Sequence, residues 1–151
     1  MIEEKFKLEN QLCFRLYTAS RLITQAYYPL LGEFELTYPQ YLVLLVLWEK
    51  DGQPVNDIAR RLMLETNTVT PLLKRMEAEG ILTRVKGEKD ARQMIVKLTR
   101  KGRGMQSKLM DVPEAVGSAV LCESVTPETV PGFFTMLDDI IRQLKEKHYN
   151  V

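Results

Sequence analysis

The sequence predicts a mainly α-helical fold with one small β-hairpin: a winged helix-turn-helix lobe flanked by N- and C-terminal helices. Three observations predict it. Apolar residues recur at helical spacing over most of the chain, two short helical segments abut between residues 54 and 80, and after Gly80 the apolar period shortens from about 3.6 to 2. With 151 residues, 45% of them hydrophobic, the chain is sized for a single domain, spanning residues 1–151, with a core of its own.

The first helix is marked by Leu8, Leu12, Leu16, Ala19 and Ile23, and Pro29 with Gly32 closes it. After Thr37, the segment TYPQYLVLLVLWEK is apolar on nearly every side, as a helix buried inside a small domain is, and Asp51-Gly52 supplies the turn. In PVNDIARRLML, Asn56 or Asp57 can cap a short helix that points Ile58, Ala59 and Leu62 inward. Its partner, ETNTVTPLLKRMEAEG, opens with capping side chains, buries Val69, Leu72, Leu73 and Met76, and stops at Gly80.

Two short helices joined tightly form a helix-turn-helix, whose second helix enters the major groove with its N-terminal residues against the bases. Here that turn offers Thr66, Asn67, Thr68, Thr70 and Pro71. Three threonines and an asparagine are more than a cap requires, and their polar groups suit base edges or phosphates. ILTRVK and MIVKLT then alternate as half-buried strands around the polar turn GEKDARQ, a wing with Arg84, Lys86, Lys89 and Arg92 available for phosphates or a minor groove. Beyond Thr99 a long helical stretch is interrupted by Pro113 and Gly117, and Thr126-Pro127-Glu128 restarts a helix through Phe133, Phe134, Leu137, Ile140, Ile141 and Leu144.

Charge supports the same reading. The net charge is only +1, but residues 60–104 carry twelve Lys/Arg against five Asp/Glu, and the rest of the chain is acidic. A basic middle between acidic flanks fits a chain that meets a polyanion with its centre. The first ten residues mix both charge signs and no apolar run of 18 occurs, so neither a signal peptide nor a membrane span is expected and the protein is expected in the cytoplasm. Cys13 and Cys122 fit neither a disulfide framework nor a CxxC metal site, and His148 is the sole histidine. No metal or other cofactor and no Ser/His/Asp triad are expected. Cys13 alone is readable either as a small apolar filler or as a reactive thiol.

The stretch LMLETNTVTPLLKRMEAEGILTRVKGEKDARQMIVKLTRKG resembles the DNA-binding lobe of the MarR family: TVTPLLKRME as recognition helix, Asp90 and Arg92 as the D-x-R of the wing, and Leu98 to Gly102 as LTxxG. LENQLCFRLY and LTYPQYLVLLVLWE further resemble the OhrR branch of organic-hydroperoxide sensors. The resemblance implies a homodimeric repressor that binds double-stranded operator DNA through a lobe at about residues 37–99. Helices at about 3–30 and 100–148 would hold the dimer together. Lys74, Arg75 and Arg84 would contact backbone phosphates, Arg92 would anchor the wing, and Asp90 would hold Arg92 in place.

The resemblance also implies that Cys13 is the sensor, with its thiolate hydrogen-bonded by Tyr27 and Tyr38. Phenol donors favour a charged sulfur, the nucleophilic form. Along one straight helix Tyr27 would lie about 21 Å from Cys13, so the contact requires the first helices of two chains to run antiparallel. Tyr17, one turn from Cys13, would line the same pocket from the cysteine's own chain. Cys122 falls near the place of a resolving cysteine that some OhrR-type proteins carry late in the fifth helix of the partner subunit; a buried structural Cys122 is the competing view. Two other functions follow from the same residues: a repressor released by a small phenolic ligand, with Cys13 incidental, and a thiol peroxidase, for which no peroxidase-like sequence speaks.

Overall fold

A computed structural model describes residues 3–148, and the chain divides into two compact units between Val112 and Pro113. The first unit opens with two 3-10 turns before α1 (Leu12–Gly32). The helix thus begins four residues after Leu8. The side-chain amides of Asn10 and Gln11 explain the delay: Asn10 Nδ2 donates to the Glu4 carbonyl (2.8 Å) and Gln11 Nε2 to that of Lys5 (2.7 Å), holding Lys7 and Gln11 extended. Pro29 lies inside α1 instead of ending it. The chain turns away beyond Gly32, where Glu35 adopts a left-handed φ of 56° and the Leu36 N–H closes back on the Leu31 carbonyl at 3.1 Å.

α2 (Tyr38–Glu49) is the core helix. Thr37 and Gln40 form a reciprocal capping box at its start, and Tyr41, Val43, Leu44, Val46 and Leu47 are all buried. The two-residue β1 (Gln53–Pro54) leads into α3 (Val55–Leu62) and α4 (Thr66–Ala78), separated by Met63 at a left-handed φ of 54°. The expected caps differ in detail. Asn56 and Asp57 lie within the first turn of α3, because Pro54 already supplies the extended entry, and Asp57 instead pairs with Arg60. Glu65 precedes α4 without a side-chain cap. Val69, Leu73 and Met76 are buried and Leu72 half-buried, so α4 presents the expected inner face.

β2 (Leu82–Lys86) and β3 (Met94–Leu98) form the hairpin, with Leu82 opposite Leu98 and Arg84 opposite Val96. β1 pairs with the other side of β3, giving a three-stranded antiparallel sheet of order β1-β3-β2, one strand more than the period-2 pattern reveals. A two-residue strand has no period to read.

α5 (Arg100–Lys108) begins at Thr99, whose hydroxyl accepts the Gly102 N–H at 3.2 Å and donates to the Gly80 and Ile81 carbonyls. Gly102 is required by close approach: a Cβ there would stand 2.2 Å from the Ile81 carbonyl oxygen. The indole N–H of Trp48 donates to the Gly102 carbonyl (3.0 Å), locking α5 to the core helix.

The second unit carries nearly all of α6 (Val112–Val120) together with α7 (Val130–His148). The helical stretch after Thr99 breaks at Leu109, where the backbone leaves helical geometry, and not at Pro113, which sits in the first turn of α6 where a missing N–H costs nothing. Gly117 stays within α6. The next helix starts at Val130, four residues after Thr126, because Thr126 and Thr129 close a turn first: the Thr126 N–H donates to Thr129 Oγ1 (2.8 Å). Among the described residues, no helix is long and apolar enough to cross a membrane.

Candidate nucleic-acid interface and thiol site

The first turn of α4 projects from the lobe. Thr66, Asn67, Thr68 and Pro71 are exposed and Thr70 is half-buried, its hydroxyl donating back to the Thr66 carbonyl (2.8 Å). The Thr66 hydroxyl donates to Asn56 Oδ1 (3.2 Å), pinning the start of α4 to the start of α3. Among the described residues the Thr68 hydroxyl reaches Asn67 Oδ1 at 3.5 Å and neither side chain bonds the backbone, so both lie on the exposed surface of the turn. Lys74 and Arg75 follow on exposed positions of the same helix.

The wing tip is closed by the Gly87 N–H on the Gln93 carbonyl (2.8 Å). Within it, the Asp90 carboxylate accepts the Arg92 backbone N–H (3.0 Å), Nε (3.1 Å) and Nη2 (3.3 Å), while 92% of the Arg92 side chain remains exposed. These bonds hold the Asp90 carboxyl below the usual carboxylate range, so it stays ionised and aims the guanidinium without covering it. Lys89 is exposed beside it. A cleft of about 400 Å³ runs between the α4 turn and the wing and brings together Thr66, Thr70, Arg84, Asp90 and Arg92.

Arg84 is engaged differently from the other bases. Its Nε and Nη2 donate to Glu77 Oε2 at 3.0 and 2.8 Å, its backbone N–H donates to Glu77 Oε1 at 2.9 Å, and the side chain is only 18% exposed. The pair ties the recognition helix to the wing strand, and Arg84 holds the Glu77 carboxyl below its ordinary range. Glu77 is absent from the sequence expectations. The signal that could have found it is its position three residues before the Gly80 turn, which folds β2 back along the end of α4.

Cys13 lies in the first turn of α1, exposed and with a free thiol, and Tyr17 one turn on is 67% exposed. Near the other end of α1, Tyr27 packs against Tyr38 of α2 with ring centroids 4.6 Å apart, and Tyr41 stands 5.8 Å from Tyr27. Burial raises all three phenols above their ordinary values, and the neighbouring phenols add to this at Tyr27 and Tyr41. They therefore remain O–H donors at neutral pH. Tyr27 and Tyr38 thus form one unit, separated from Cys13 of the same chain by about 21 Å of helix. Cys122 is exposed, not buried, and lies outside any helix, in the turn between α6 and α7 where its N–H and carbonyl both bond Val125. Among the described residues no group of three or more His, Cys, Asp or Glu is placed to hold a metal ion.

A recognition helix set against a small antiparallel sheet with a basic tip defines a winged-helix protein, a class built to read duplex DNA. The family model "Transcriptional regulator SarA/Rot" matches residues 25–109. The chain is 44% identical to the HTH-type transcriptional regulator TtmR of Methylorubrum extorquens, over 93% of this chain and 69% of that one. It is 46% identical to the organic hydroperoxide resistance transcriptional regulator of Bacillus subtilis, over 76% and 80%. Staphylococcus epidermidis AbfR, solved reduced and bound to DNA, superposes with a TM-score of 0.76 at 40% identity, covering 95% of this chain and 99% of that one. The same protein with a disulfide formed gives 0.64 at 41% identity, covering 95% of each chain. The chain belongs to the MarR/SarA-type winged-helix family of transcriptional regulators, and it is a regulator, not an enzyme.

Proposed function

We propose that this regulator is a homodimeric repressor that holds operator DNA while Cys13 is reduced and releases it when an organic hydroperoxide oxidises Cys13. The observation that carries the reading is the pair Tyr27–Tyr38, protonated, 4.6 Å apart and out of reach of the exposed Cys13 of its own chain. Antiparallel pairing of two α1 helices delivers that phenol pair to the other chain's thiol. The apolar side chains that α1 leaves exposed, Leu12, Phe14, Leu22 and Ile23, are the surface a second copy covers, and Phe134, Ile141 and Leu144 offer α7 for the same purpose. Residues of about 3–30 and 100–148 then form the dimer, and those of about 37–99 the DNA-binding lobe.

In the reduced dimer the two α4 helices enter successive major grooves about 34 Å apart. Thr66, Asn67, Thr68, Thr70 and Pro71 meet base edges and nearby phosphates, and Lys74, Arg75 and Lys89 neutralise phosphates. Arg92, aimed by Asp90, anchors the wing, and Arg84 supports it through Glu77. The Cys13 thiolate attacks the terminal hydroxyl oxygen of the hydroperoxide, the O–O bond breaks, that oxygen with its hydrogen stays on sulfur as a sulfenic acid, and the departing alkoxide takes a proton from water to leave as an alcohol. The thiol of Cys122 from the other chain then displaces water from the sulfenic acid to form an intersubunit disulfide. Loss of the charged sulfur removes the acceptor of the two phenols, and the lobes rotate out of register. The reading is supported by the hydroperoxide regulator of Bacillus subtilis and by AbfR, solved both reduced on DNA and with a disulfide formed.

A gel-shift series on DNA from upstream of the protein's own gene, with and without cumene hydroperoxide, tests this. The intact protein is expected to release DNA on oxidation and rebind after dithiothreitol, Cys13→Ser to stay bound, and Cys122→Ser to lose reversibility. Release of Cys13→Ser by the hydroperoxide would overturn the sensor assignment; release by a phenolic acid alone would favour a ligand-operated repressor.

A further inference from the structure

Gln40 and Gln53 are the two buried polar side chains among the described residues, at 3% and 7% exposure, and they sit at opposite ends of α2. Gln53 closes the C-terminal end by donating Nε2 to the Val46 carbonyl (3.1 Å) and to that of Lys50, on a strand that pairs with the wing strand β3. Gln40 closes the N-terminal end: its Oε1 accepts the Thr37 N–H at 2.8 Å. Its Nε2 leaves the helix and donates to Oε2 of Glu79, the C-cap residue of the recognition helix, at 3.3 Å.

A capping box uses only the side-chain oxygen at this position, and glutamate serves it as well as glutamine. The amide nitrogen therefore needs another reason, and Glu79 supplies it. A carboxylate at position 40 would keep the cap but set like charges against each other at the end of α4. Two residues earlier, Tyr38 opens α2 and packs on Tyr27. One turn of α2 thus holds both the phenol proposed to sense the thiol and the amide that grips the recognition helix.

We infer that Gln40 is the positioning residue that couples the Tyr38 turn to the recognition helix through Glu79. A displacement of the phenol pair moves the first turn of α2, and Gln40 carries it to the C-terminal end of α4, rotating the helix against DNA. The signal it carries rests on the redox reading; the link itself does not.

The test measures affinity of the full-length protein for its own upstream DNA by fluorescence anisotropy. In the reduced protein, Gln40→Glu is expected to weaken binding by about tenfold, and Gln40→Glu with Glu79→Gln, which restores the hydrogen bond with donor and acceptor exchanged, to return it to within about twofold. Binding by Gln40→Glu equal to the intact protein would reduce Gln40 to a cap and overturn the inference; so would a double variant no better than the single one. Glu79→Ala, which adds no charge, guards against misfolding: it is expected to bind within about threefold when reduced and to show a cumene-hydroperoxide-induced loss of affinity about fivefold smaller than the intact protein's. An equal loss would overturn the coupling. If the intact protein itself ignored the hydroperoxide, the redox reading would fail while the charge-swap result still decided the link.

Discussion

Replacing Glu77 by alanine separates a strut from a DNA ligand at Arg84. The Glu77 carboxylate takes three hydrogen bonds from Arg84, at 2.8, 2.9 and 3.0 Å, one of them from the backbone N–H of an edge strand. The side chains are 35% and 18% exposed, so solvent screens the pair but does not replace it. A buried charge-assisted bond contributes about 1.5–3 kcal/mol and an exposed ion pair at most about 1, which places the loss at about 2 kcal/mol. For a chain of this length that lowers Tm by about 4–8 °C, measurable by circular dichroism. Because the folded carboxyl is depressed, this stabilisation is present above the unfolded carboxylate pKa and is lost as pH falls through the folded one. The melting curves of the intact protein and the variant should therefore converge in acid. With the wing untied from α4, affinity for operator DNA should fall about tenfold while the salt slope is kept. An unchanged Tm at neutral pH, or a Glu77→Ala protein that binds DNA normally while Arg84→Ala reduces the salt slope by about one, would refute the strut and make Arg84 a phosphate ligand.

Gly102→Ala places a methyl group 2.2 Å from the Ile81 carbonyl oxygen, a backbone atom that cannot rotate aside, and should cost about 3 kcal/mol in urea unfolding; a loss below about 1 would contradict the packing described. Arg92→Ala should weaken DNA binding and lower the salt slope by about one without changing Tm, since its only ion-pair partner among the described residues, Asp90, is its wing neighbour. Thr99→Ala, which removes the α5 cap and the bonds to Gly80 and Ile81, should destabilise the protein by about 1 kcal/mol.

Where the sequence was legible, the reason is local. α2 is apolar all round and α4 has a clean inner face ending at Gly80, so burial alone assigns them. The helix starts were less legible, because they are decided by side chains competing for backbone groups: Asn10 and Gln11 delay α1, and Thr126 with Thr129 delays α7. β1 escapes notice because two residues carry no period, and its pairing with Val96 and Ile95 is set by the fold. The polar residues proposed to face DNA stand out by type and position. Glu77, Gln40 and Glu79 do not, since an ordinary surface glutamate and a capping glutamine gain their roles only from what the sheet and α2 bring beside them. The phenol pair sits between these cases: family resemblance points to Tyr27 and Tyr38, but only the packing of α1 on α2 brings them within 4.6 Å.

The sensor proposed for this regulator is shared between two chains, Cys13 from one and Tyr27 with Tyr38 from the other. Mixed dimers of Cys13→Ser chains and Tyr27→Phe/Tyr38→Phe chains, purified by two different tags, test it by the rate at which the remaining Cys13 is oxidised by cumene hydroperoxide. A shared site rebuilds one complete pocket in every mixed dimer, so that Cys13 should react at the rate of the intact protein. If it reacts as slowly as in the Tyr27→Phe/Tyr38→Phe homodimer, the phenols do not act across the interface and the sensor is not shared.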